Sequence, residues 1–137
     1  MPSLQKEVLK AKLMRDFRYG IIARCHLSGH AYRELLSLKE QTRRTYQDII
    51  RIAIDVYDRY RFPTDPSKGR IIIAFRLNKQ TALTAETWAW GYGVYRSRFI
   101  GGILEGFFSR IPKAEIRKIL ISRADQAVRL IKEAVRG

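Results

Sequence analysis

From Ala31 to Tyr60 the chain contains neither glycine nor proline. A run this long without either breaker favours helix throughout. Leu35, Leu38, Thr42, Tyr46, Ile49, Ala53, Tyr57 and Tyr60 recur at steps of three or four and form one largely apolar stripe. Arg33, Arg43, Arg44, Arg51 and Arg59 lie mostly off that stripe. The segment is either one long amphipathic helix or two helices joined by a turn that no breaker marks.

The rest of the chain divides around this segment. Residues 3–18 read as a further amphipathic helix, capped by Ser3, with Leu9, Leu13 and Phe17 on its inner face. Ile21 to Leu27 is a short apolar run interrupted by Arg24 and His26, and Ser28-Gly29 marks a turn. Phe62 to Gly69 holds two prolines and a glycine and is the clearest loop. Ile71 to Phe75 fits a strand by its β-branched residues or the start of a buried helix by its length. Trp88, Tyr92, Tyr95, Phe99, Ile103 and Phe107 continue at helical spacing, and seven of the 15 aromatics fall between Trp88 and Phe108. That stripe reads as packed core, and Gly102 and Gly106 would let another helix approach closely. Pro112 suits the first turn of a last helical segment.

The expected architecture is therefore mostly α. A basic helical arm spans 1–62, a linker loop 63–70, and an aromatic-rich helical bundle 71–137.

Charge bears most directly on partners. The chain carries 27 Lys+Arg against 13 Asp+Glu, a net charge of +14 over 137 residues. Residues 1–62 contribute 13 basic and 7 acidic side chains, and residues 63–137 contribute 14 and 6. The excess is spread along the chain rather than held in a tail, which implies an acidic partner met over much of the surface. Arginine outnumbers lysine 18 to 9. Its planar fork of donors matches phosphate, which points to a nucleic-acid backbone.

Other classes find little in the sequence. No apolar stretch approaches the length of a membrane span, and no signal peptide is visible. Cys25 is the only cysteine, and with His26 and His30 it makes too small a set for a metal site. Phosphate-cradling loops, a nucleophile elbow and HExxH are all missing. No enzyme activity, cofactor or metal is expected.

Two resemblances bear on the architecture. Arg76-Leu77 precedes Tyr95-Arg96-Ser97-Arg98-Phe99-Ile100. Earlier in the chain, and at the same separation, His26-Leu27 precedes Thr45-Tyr46-Gln47-Asp48-Ile49-Ile50. This arrangement resembles tandem ribbon-helix-helix proteins. That resemblance implies a two-stranded β-ribbon whose alternate residues, Ile22, Arg24, His26, Ile72, Ala74 and Arg76, enter the DNA major groove. The first copy carries Arg43-Arg44-Thr45 where a helix-breaking glycine is expected.

Length, basicity and the segment Ala89-Trp90-Gly91-Tyr92-Gly93-Val94 also resemble the major coat proteins of rod-shaped and filamentous archaeal viruses. That resemblance implies a helical arm wrapping DNA, a C-terminal helical bundle and a place in the virion.

Because the cations are spread over the whole chain, the leading expectation is a structural coat protein. It would bind double-stranded DNA without regard to sequence, through backbone contacts from Lys6, Lys10, Lys12, Arg15, Arg18, Arg24, Arg33, Arg43, Arg44 and Arg51. Its other partners would be further copies or a paralogous coat subunit, with possible contact to a lipid envelope. The alternatives are a tandem ribbon-helix-helix regulator in the cytoplasm and a peripheral membrane protein using helix 3–18.

Overall fold

A computed structural model describes residues 20–121 of the chain. They form, in order, β1 (Ile21–Leu27), α1 (Gly29–Thr42), α2 (Tyr46–Tyr60), β2 (Ile71–Leu77), α3 (Lys79–Gly91), α4 (Arg96–Arg110) and α5 (Lys113–Ile121). The fold is mostly helical with one small two-stranded sheet. Strand, helix, helix occurs twice, at one fixed offset: β1 and β2 begin at Ile21 and Ile71, α1 and α3 at Gly29 and Lys79, α2 and α4 at Tyr46 and Arg96. The sequence repeat is thus a structural repeat. The expected helix 3–18 lies outside the described residues.

β1 and β2 pair antiparallel from Ile21↔Leu77 to Leu27↔Ile71. An all-helical reading of this region does not hold, because the short apolar run Ile21–Leu27 and the run opening at Ile71, which the sequence left between strand and helix, are both strands. β-branched Ile21, Ile22, Ile71, Ile72 and Ile73 suit the pleat. Side chains alternate across it. Ala23, Cys25, Leu27, Ile73, Phe75 and Leu77 are buried, whereas Ile22, Arg24, Ile72, Ala74 and Arg76 are exposed and His26 is half-buried. Two strands alone are marginal in water. Here the inner face is covered, chiefly by α4 against β1.

The 31–60 stripe breaks into two helices at 43–45. Arg43 takes the left-handed conformation at φ 57°, and its repeat equivalent Gly93 takes it at φ 69°. The turn that lacked its glycine is made by an arginine. Side chains cap the helices that follow: Ser28 Oγ accepts from Ala31 N (3.1 Å), Thr45 Oγ1 from Asp48 N (3.3 Å) and Asn78 Oδ1 from Thr81 N (2.7 Å). Each such cap stabilises a helix by about 1 kcal/mol. Ser28-Gly29 is accordingly a cap and first helical residue as much as a turn.

Residues from both copies share one core among the described residues. Leu27, Leu35, Leu38, Ile49 and Ile50 join Leu77, Ile100, Ile103, Leu104 and Phe107. Each large apolar side chain buried there contributes about 2 kcal/mol. The 63–70 segment is therefore a crossing between two repeats inside one core.

That crossing explains the glycines of α4. A Cβ on Gly101 would overlap the His26 carbonyl, and one on Gly102 would overlap the Asp65 carbonyl. The close partners are strand and loop backbone, not the helix expected from the spacing. Glu105 fastens the same junction by accepting from Ser28 N (2.9 Å) and Ser67 Oγ (3.2 Å). Arg98 Nη1 donates to Ser67 O (2.9 Å), and Ser67 N donates to Arg98 O (2.9 Å).

Candidate nucleic-acid interface

The outer face of the ribbon brings together side chains far apart in sequence. Its register sets Ile22 opposite Arg76, Arg24 opposite Ala74, and His26 opposite Ile72. Same-face residues along a strand stand about 6.7 Å apart, so three pairs cover about 13 Å. Ile22 and Ile72 are 60% and 57% exposed. Isoleucine is more often buried than exposed, and these two stand at opposite ends of the outward face with the Arg24–Ala74 pair between them. No carboxylate lies on this face, and Arg24 and Arg76 make no ion pair among the described residues.

The residues expected to contact DNA scatter more widely. Arg24 lies on the ribbon. Arg43 is exposed at the α1–α2 turn, and Arg33 is exposed on α1. Arg44 and Arg51 are engaged within the protein. Arg44 Nε donates to Leu120 O (2.6 Å), and its Nη1 lies 3.8 Å from Asp48. Arg51 spans Asp48 and Asp55 at 3.7 Å each. Burial pushes the Asp55 carboxyl above its ordinary range, opposed by Arg51 and Arg59 and reinforced by Asp58. Lys6, Lys10, Lys12, Arg15 and Arg18 lie outside the described residues. Arg76 is absent from the backbone-contact set drawn from charge alone; the repeat was the signal that placed it on the ribbon.

The aromatic stripe splits in two. Its Phe99, Ile103 and Phe107 are buried, as are Tyr57 and Phe62 from outside the stripe. Tyr57 packs edge-on against Phe62, Trp88 and Phe99 at 5.4–5.6 Å. Arg61 lies 4.5 Å over the Trp88 ring, whose Nε1 donates to Asp58 Oδ1 (2.7 Å). Trp90, Tyr92 and Tyr95 instead stand exposed around the α3–α4 turn. Gly91 and Gly93 both sit in open space there rather than in close packing, and Gly93, at φ 69°, makes the turn.

Cys25 points inward and His26 outward, as strand alternation requires. Burial and, second, the charge of Glu105 push the Cys25 thiol up to about 12, which removes its nucleophilic form near neutrality. Among the described residues no three of His, Cys, Asp and Glu cluster, and no helix is long and apolar enough to cross a membrane.

Comparison with known protein families, curated proteins and solved structures found no match.

Proposed function

We propose that this protein binds duplex DNA by laying the β1–β2 ribbon in the major groove, in the manner of tandem ribbon-helix-helix proteins. The observation that carries the reading is the outer ribbon face, with Arg24, His26 and Arg76 interleaved with exposed Ile22 and Ile72. A major groove about 12 Å wide admits a two-stranded ribbon. Arginine there meets guanine edges, and isoleucine meets apolar surface. Exposed cations outside the ribbon, Arg33 and Arg43 among them, suit the flanking phosphates.

The net charge of +14 supports the backbone component of this binding and also favours a second reading, the DNA-wrapping coat protein. That reading expects a helical arm through the segment where β1 lies, so the ribbon favours the first. A peripheral membrane role rests on helix 3–18, outside the described residues.

Binding of unrelated duplexes at several salt concentrations, with imaging of the products, tests the proposal. If about six phosphates are neutralised, log affinity falls with log salt at a slope near −5. Discrete complexes, with a preferred sequence held about 10³-fold or more above random DNA, are the expected result. Even coating of every duplex into filaments would favour the coat protein.

A further inference from the structure

The ladder and the repeat share one centre. Arg24 pairs with Ala74 across the ribbon, and Ala74 is also the repeat equivalent of Arg24. A local twofold axis relating the two strands therefore passes between these two residues. It exchanges Ile22 with Ile72 and His26 with Arg76. The isoleucines match in type and exposure, 60% and 57%. The other two equivalences do not match: arginine faces alanine at the axis, and histidine stands in for arginine at the flank.

Resting on the DNA reading above, we infer that the ribbon recognises a pseudo-palindromic duplex site with unlike halves. Thymine occupies the two symmetric positions met by Ile22 and Ile72. Guanine is read in one half only, by Arg76. Arg24 reads a further guanine beside the axis on one strand.

The chemistry of the face limits what it can read. An apolar side chain in the major groove favours the thymine methyl, and arginine forks onto O6 and N7 of guanine. Bidentate contact to adenine takes Asn or Gln, and cytosine takes a carboxylate. Neither is among the six outward residues. The two ring nitrogens of a histidine point in different directions, so His26 cannot present the parallel pair of donors of the arginine fork. Ala74 offers no donor at all.

Selection from a duplex pool with a randomised core, followed by sequencing, tests the inference. The enriched motif should carry two symmetric thymines and a flanking guanine on one side. Relocating that guanine to the other half should weaken binding about tenfold or more. Replacing either thymine by uracil removes one methyl and should weaken binding about fourfold. Combining His26→Arg with Arg76→His, with circular dichroism to verify the fold, should move the flanking guanine to the opposite half. An enriched perfect palindrome overturns the inference, as does duplex binding with no preferred sequence. Failure to retain any duplex at low salt is a different result and overturns the DNA reading itself.

Discussion

Arg24 and Ala74 face each other across the ribbon at the centre of the internal repeat. Both project outward, and neither supports the core. Under the proposed DNA reading, binding and stability therefore separate at this position, and the same holds for Arg76.

Arg24→Ala and Arg76→Ala should each weaken binding to a preferred duplex by about 1–3 kcal/mol. Neither should move the urea midpoint appreciably, since exposed substitutions stay within about 0.5 kcal/mol. Arg51→Ala should show a smaller binding effect, because that guanidinium already lies between Asp48 and Asp55. Anisotropy titrations and urea unfolding on the three variants provide the comparison. Equal binding losses in all three would remove the ribbon from its assigned place.

Arg43 combines an exposed charge with a left-handed backbone. Glycine adopts that conformation without the side-chain strain, at the expense of a more disordered unfolded chain. Arg43→Gly should therefore leave stability within about 1 kcal/mol while reducing the salt slope of DNA binding by about one. A substantial loss of stability would mean that the arginine side chain holds the turn.

The glycines of α3 and α4 should respond oppositely to alanine. Gly102→Ala forces a methyl into the Asp65 carbonyl and should destabilise the fold by about 2–4 kcal/mol. Gly91, with open space around it at the end of α3, should gain a few tenths of a kcal/mol from the same change, up to about 1. Denaturant unfolding of both variants measures the contrast.

Cys25 gives a stability component that depends on pH. Its thiol ionises near 9.0 when unfolded and near 12 when buried. The folded value is the higher, so the native state holds its proton where the unfolded chain releases it. The contribution is intact below pH 9 and is lost as pH rises toward 12. Between pH 8 and 10.5 the loss attributable to this group is about 2 kcal/mol. Cys25→Ala should lack that component, so the difference between the two unfolding profiles isolates it. Parallel profiles would show the thiol to be accessible. Tyr57, also pushed up by burial and by its bond to Tyr92, titrates in both proteins and cancels in the difference.

The repeat was legible in the sequence because helix starts and strand ends recur at a fixed offset. The strands were less so. Alternation marks a half-buried strand only when outward positions are polar. Ile22 and Ile72 point outward and erase that signal. The α1–α2 turn was hidden for a different reason, since only the backbone reveals that Arg43 takes the place of a glycine. The α4 glycines were visible, but their partners, the carbonyls of His26 and Asp65, come from distant parts of the chain, and no local pattern reports a tertiary contact. The pairing of Arg51 could have been read, since Asp48 and Asp55 stand at the i−3 and i+4 positions of the same helix.

The 63–70 crossing has a consequence for how this fold survives dilution. Each copy supplies one strand, and a lone strand has no ladder. Were the copies separate chains, their meeting would be second order and would fail at low abundance. Joined through a short loop, each strand sees the other at an effective concentration on the order of millimolar. The finished ribbon therefore needs no strand from a second molecule, and a single newly made chain can complete it.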